Sequence, residues 1–238
     1  MRKNQIWLYI LRLIRHVRTE SMPLDELRSL NKSAISIIQE NAILEAAGYI
    51  EKNLEKALVF EDKLEFLAFA ISQIDPNRDG IIAEFGVFKG QTLNFIARKN
   101  PGNEVYGFDS FQGLQEKWFG TSLNAGFFSL GGSLPIVEKN VALHKGWFSE
   151  SIPSFLRTNS LVANFLHIDC DTFESSSCVL NLFANRIKPG TILVFDEYFG
   201  YPNWKNGEYL AWQEFTKKFS IKYSYIAFSN EQAAVRVL

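Results

Sequence analysis

Cysteine is nearly absent: Cys170 and Cys178 are the two in 238 residues. Two thiols inside one apolar-rich segment exclude a disulfide scaffold and fit a reducing compartment, so a cytoplasmic protein is expected. Neither sign of charge is in excess. The balance of 25 basic against 26 acidic residues leaves a net −1, which argues against a nucleic-acid partner, because such binding needs a basic surface to displace counterions. Proline and glycine are modest at 7 and 15, while 47% of residues are hydrophobic. That composition excludes disordered and collagen-like chains. The sequence shows no repeat and no low-complexity tract. It also lacks a long hydrophobic run at its start: the apolar stretch Ile6–Leu11 stops at Arg12, far short of the ~20 residues that span a bilayer.

What is present is uneven along the chain. Residues 1–19 carry Arg2, Lys3, Arg12, Arg15 and Arg18 and no acid, a local +5 that leaves −6 on the remainder. Wound as a helix, Ile6, Ile10, Leu13, Ile14 and Val17 share one face. The expectation is a helix packed on the body or on a second copy, hence a homo-oligomer. The alternative is a weak membrane-surface contact through residues 4–18. No small-residue cleavage site follows, so a signal peptide is not expected. The helical pattern continues to about residue 78, where Leu64, Leu67, Ala68, Ile71 and Ile74 keep i, i+3, i+4 spacing until Asp75-Pro76.

From Gly80 the pattern changes. Apolar runs at Ile81–Val87, Glu104–Asp109, Val141–His144, Phe165–Asp169 and Thr191–Asp196 alternate with helix candidates near 91–99, 150–158, 175–186 and 206–219. Strands apolar on both faces and joined by helices predict a parallel sheet covered on both sides. Ile221–Phe228 and Gln232–Leu238, separated by Ser229-Asn230, read as an antiparallel hairpin at the end of that sheet. The expected organisation is an α/β domain over 79–238 behind an N-terminal helical cap over 1–78. The stretch Ser110–Lys139 has little periodicity, yet it interleaves five glycines with Trp118, Phe119, Phe127 and Phe128. Its aromatic content predicts a lid or substrate wall rather than a disordered loop.

Ligands of open α/β sheets bind beyond the carboxyl ends of the strands. The first such end runs Glu84-Phe-Gly86-Val87-Phe-Lys-Gly90-Gln-Thr92, where glycines let a ligand approach the backbone and let the next helix begin tightly. The spacing is G-x-x-x-G, not the G-x-G-x-x-G of dinucleotide sites. The second strand ends in Asp109, 25 residues after Glu84, and a carboxylate there can accept both hydroxyls of a ribose. Together they favour an adenosine-containing ligand. The later strands end in His167-Ile-Asp169-Cys-Asp171 and Asp196-Glu197-Tyr198. On neighbouring strands, Asp169, Asp196 and Glu197 form an oxygen-donor set suited to a hard ion such as Mg²⁺. His167 shares a side of its strand with Asp169, as a base or an orienting group. Asp171, followed by Thr172-Phe-Glu174, reads as a helix start rather than a ligand.

These residues resemble the class I S-adenosylmethionine-dependent methyltransferases, and within them the macrocin O-methyltransferase family. The resembling parts are Glu84–Gly90, Tyr106–Leu114, Lys145–Phe148, His167–Asp171, Val194–Tyr201 and Asn230–Val235, in the same order. The resemblance implies a Rossmann-like seven-stranded sheet with a reversed last strand. It implies that Glu84, Gly86 and Gly90, with Val87 and Thr92 of the same turn, hold the methionine part of the cofactor. Asp109 would bind the ribose, Ser110, Gly146 and Trp147 would border the adenine, and Asp169 would face both the cofactor and the metal. Asp169, Asp196 and Glu197 fall on the positions that hold Mg²⁺ beside the acceptor hydroxyl. Asp196-Glu197-Tyr198 stands where an Asp-Asp-Tyr is expected, and Cys170 stands where a glycine is.

The expected activity is Mg²⁺-assisted O-methylation of a sugar or natural-product-like small molecule, with Asp169 or His167 taking the acceptor proton. Two rivals are a nicotinamide-dependent oxidoreductase, disfavoured by the absent glycine fingerprint, and a non-catalytic cofactor-binding scaffold, disfavoured by the acid cluster.

Overall fold

The computed structural model describes residues 33–238; the basic segment 4–18, with its expected helix and membrane or subunit contact, lies outside them. Two units are distinguished, one ending at Asn41 and one running from Ala42 to Leu238. In the first, Ser33 accepts a hydrogen bond from the Ser36 amide at 3.1 Å as helix α1 (Ala34–Asn53) begins.

The second unit holds an eight-stranded sheet. Its strands are β1 (Leu58–Val59), β2 (Ile81–Phe85), β3 (Val105–Asp109), β4 (Val141–Lys145), β5 (Ala163–Ile168), β6 (Ile192–Phe195), β7 (Tyr223–Phe228) and β8 (Ala233–Val237). The helices are α2 (Lys63–Ser72), α3 (Gln91–Lys99), α4 (Phe148–Thr158), α5 (Phe173–Phe183) and α6 (Glu208–Phe219). Spatial order is β1-β7-β8-β6-β5-β2-β3-β4. Strands β4, β3, β2, β5 and β6 run parallel, and β8 lies antiparallel between β6 and β7. The expected seven strands and terminal hairpin are all present. The additional strand is β1, two residues paired with β7 at the edge. It interrupts the helical pattern expected up to residue 78.

Alternation along the strands divides the core. Ile81, Ala83, Phe85, Leu166, Ile168, Leu193 and Phe195 belong to one apolar cluster, together with residues of α4, α5 and α6. Ile82, Phe165, Ile192 and Val194 belong to the other, with Phe66, Leu67, Leu93 and Ile96 of α2 and α3. Strands β2, β5 and β6 are buried at every position, which is why they read as continuous apolar runs rather than alternating ones.

The chain leaves β2 in one direction to reach β3 and β4, and returns across it to build β5 and β6. Strand order therefore reverses between β2 and β5, and a crevice opens there at the carboxyl ends. The β3–β4 crossover, residues 110–140, contains no helix or strand. Leu114 donates to the Phe127 carbonyl at 2.9 Å, Gly126 to Leu114 at 2.8 Å and Gly132 to Phe111 at 2.8 Å. Phe111 is buried beneath them. The crossover is a self-bonded wall of the crevice.

Leu166 lies at the centre of β5 and is fully buried. Leu166→Ala is expected to lower stability by about 3 kcal/mol through lost burial and the cavity left behind. Urea unfolding at unchanged slope would show this as a lower midpoint.

Candidate active site

The carboxyl ends of β2, β3, β5 and β6 border a cleft of about 490 Å³. Of the residues expected to bind cofactor, Gly86, Val87, Thr92, Asp109, Ser110, Gly146, Trp147 and Asp169 line it. The Asp109 carboxylate organises one end. Its Oδ2 accepts the amides of Val87 and Phe88, each at 2.8 Å, and its Oδ1 accepts that of Phe111 at 2.7 Å. One acid thus fixes both the turn after β2 and the start of the crossover; Oδ2 is filled by its two amides, and Oδ1 retains a second acceptor position. Gly86 (φ +92°) brings β2 against β5: a Cβ there would lie 1.7 Å from the Asp169 carbonyl oxygen. No other residue fits that approach. Trp118 and Phe128 of the crossover line the cleft, as its aromatic content predicted.

Two expected binding residues do not line it. Gly90 is the left-handed residue before α3, one step behind the turn. Glu84 is fully buried and directed to the α2–α3 side of the sheet, where its Oε1 meets His167 Nδ1 at 2.8 Å. Strand alternation places Glu84, His167 and Asp196 on that one side, since β2 pairs Glu84 with His167 and β5 pairs His167 with Val194.

His167 is therefore corrected from a base to an internal cation. It is 1% exposed and does not border the cleft. Its Nε2 is 3.5 Å from Asp196 Oδ1. Burial alone would lower its pKa, but the carboxylates of Asp196 and Glu84 outweigh this and hold it at about 10. Lys63, the first residue of α2, extends the row: its Nζ donates to Asp196 Oδ2 at 2.5 Å. Burial raises the pKa of Asp196, yet His167 and Lys63 overcome that and hold it well below the ordinary carboxylate range. Four charges alternate across the sheet: Glu84, His167, Asp196, Lys63.

The remaining acids behave in the opposite way. Asp169 and Glu197 are pushed well above the usual range, first by burial and then by the charge of Asp196. Asp171 rises to about 7 for the same reasons. Oxygens of Asp169, Asp171 and Glu197 lie within 4.8 Å of one another. Glu197 Oε2 is buried with no hydrogen-bond partner. This donor set suits a hard cation, with one change from expectation: Asp171 is in it and Asp196, taken by Lys63, is not. Asp171 has φ +67°, which turns its side chain to the cleft, and Thr172 is the residue that caps α5.

Sequence reasoning missed Lys63, Asp171 and Glu208. The buried Glu208 carboxylate accepts the amides of Cys170 at 3.4 Å and Glu197 at 3.1 Å, joining the loops after β5 and β6. Burial carries its pKa to about 8 against those two bonds.

Comparison with known proteins bears on this cleft. Residues 83–198 match the methyltransferase domain family. The matched segment begins inside β2 and ends just after the Asp196-Glu197 pair, so it spans both ends of the cleft. Among solved structures, the calicheamicin methyltransferase CalS11 is similar at a TM-score of 0.60 and 20% identity, over 87% of this chain and 94% of that one. The O-methyltransferase NovP is similar at a TM-score of 0.55 and 22% identity, over 73% of this chain and 78% of that one. The sheet is of the Rossmann-like methyltransferase type. A comparison with curated sequences found no match. Among the described residues, no helix is long and apolar enough to cross a membrane.

Two substitutions test the geometry. Gly86→Ala should abolish ligand binding at the cleft, because its Cβ meets backbone that cannot move away without shifting β5. His167→Gln should cost about 3 kcal/mol of stability in denaturant unfolding, since it leaves two buried carboxylates without their shared cation.

Proposed function

We propose that the protein is an S-adenosylmethionine-dependent O-methyltransferase acting on a hydroxyl of a sugar or natural-product-like small molecule. The observation that carries this reading is one cleft with two unlike ends. At one end, Asp109 holds the Gly86–Phe88 turn; at the other, Asp169, Asp171 and Glu197 converge. The methyltransferase-domain match spans both ends, and NovP is an O-methyltransferase. The motif order supports a macrocin-type enzyme.

When bound, the cofactor supplies an electrophilic methyl group. Asp109 would bind the ribose, Gly86 and Val87 would hold the methionine part, and Ser110, Gly146 and Trp147 would border the base. Aligning the acceptor oxygen with the methyl carbon supplies much of the acceleration. A bound cofactor would offer its methyl carbon to the acceptor oxygen, with sulfur as the leaving group, and Asp169 would take the hydroxyl proton. Asp169 lines the cleft, and burial and the charge of Asp196 raise its affinity for a proton. Asp169, Asp171 and Glu197 would hold Mg²⁺, which lowers the pKa of a coordinated hydroxyl. Trp118 and Phe128 exclude water from the acceptor end.

Titration calorimetry with S-adenosylhomocysteine should give micromolar binding, about −8 kcal/mol. Asp109→Ala should weaken it by at least about tenfold, or 1.4 kcal/mol. Glu197→Ala should keep this binding while losing methyl transfer. Absence of binding by the unaltered protein would end the methyltransferase reading.

A further inference from the structure

Lys63 lies outside the segment that matches the methyltransferase domain, yet it lines the cleft. Its position is built rather than incidental. Asp62 caps α2 by accepting the amides of Leu64 and Glu65 at 2.8 and 2.9 Å, which fixes the turn carrying Lys63. Phe66, Leu67 and Ala70 anchor the same helix in the core beside β6. From there the ammonium reaches Asp196 Oδ2 at 2.5 Å.

Asp196 is 3% exposed and immediately precedes Glu197, a member of the converging oxygen group. Its place at the end of β6 would make it a ligand of any ion held there. Instead one oxygen faces Lys63 and the other faces His167 at 3.5 Å, without a hydrogen bond. A divalent ion recruiting Asp196 would have to displace an ammonium already in contact, and would then face that ammonium a few ångströms away.

We propose that Lys63 sets the divalent-ion affinity of the cleft by holding Asp196 out of the ligand set. The segment before the methyltransferase-domain match thereby furnishes a permanent positive charge at the acceptor end, and Asp169, Asp171 and Glu197 are left to bind the ion. The inference rests on the proposed cation site and makes Lys63 a positioning residue for it.

The test is titration of the full chain with Mn²⁺, followed by electron paramagnetic resonance without cofactor or acceptor. Lys63→Met should bind Mn²⁺ at least about tenfold more tightly than the unaltered protein, because a repelling charge is gone and Asp196 is released. Lys63→Arg, which keeps a cation at Asp196, should stay within about threefold of the unaltered protein. Adding Asp196→Asn to Lys63→Met should remove the gain. Should Lys63→Met weaken folding by leaving Asp196 unpaired, Mn²⁺ should raise its unfolding temperature by more than it raises that of the unaltered protein. Equal Mn²⁺ binding with and without Lys63, or a gain that persists in the double variant, overturns the role of Lys63 and leaves the ion site standing. No Mn²⁺ binding by either the unaltered protein or Lys63→Met overturns both. Binding by Lys63→Met alone supports the proposal in its strongest form.

Discussion

The row of alternating charges from Glu84 through His167 and Asp196 to Lys63 is the constraint around which the rest of the cleft is arranged. Three of the four groups are almost completely buried, and a buried charge is tolerated only when its partners replace the water it has lost. Each interior member here faces two opposite charges. The row crosses β2, β5 and β6 on one side of the sheet, and the Asp169 carboxylate lies at its cleft end, with ligand atoms of Glu84, His167 and Asp169 within 4.8 Å of one another. Gly86 and Asp169 lie just past the ends of the strands that carry Glu84 and His167. Their placement in the cleft follows from the position of that pair.

Charge balance then divides the acids into two populations. Asp196 is held ionised by its cations, whereas Asp169 and Glu197 hold their protons more tightly because burial and the charge of Asp196 act on them together. Two carboxylates from neighbouring strand ends thus acquire opposite proton affinities without any difference in residue type. Glu208, donated by α6, keeps the two loops together by binding an amide from each. The acid end of the cleft is consequently assembled from four separate stretches of chain: the loops after β5 and β6, α6 and, through Lys63, α2.

Much of this was legible in the sequence. Strands β2, β5 and β6 were readable because both faces are buried, and the terminal hairpin because two strand-like runs flank Ser229-Asn230. The crossover wall was visible in its aromatics, and Asp109 in its place at a strand end. The side of the strand shared by His167 and Asp196 also follows from alternation. What alternation does not say is which neighbour covers that side, and α2 covers it. Lys63 therefore carries no signal of its own beside the helical pattern that starts at Leu64, because its partner stands 133 positions later. Asp171 escaped because a positive φ at a non-glycine residue is imposed by tertiary packing rather than announced by residue type. Glu208 escaped because an acid in the first turn of a helix ordinarily needs no explanation beyond the helix dipole.

The crossover between β3 and β4 closes its hydrogen bonds largely within itself and contributes no strand or helix to the layers. A helical crossover must keep its length and apolar stripe to cover a sheet, whereas this one is held by Phe111 at its root, Asp109 at its entrance and a few cross-bonds, such as Thr172 to Glu116 and Asn94 to the Ile136 carbonyl. Its outer turns are free to lengthen, shorten or change composition without disturbing strand register. The composition of this wall of the cleft is thereby uncoupled from the strand ends, and drift in one surface segment can reshape the cleft while the charge row stays untouched.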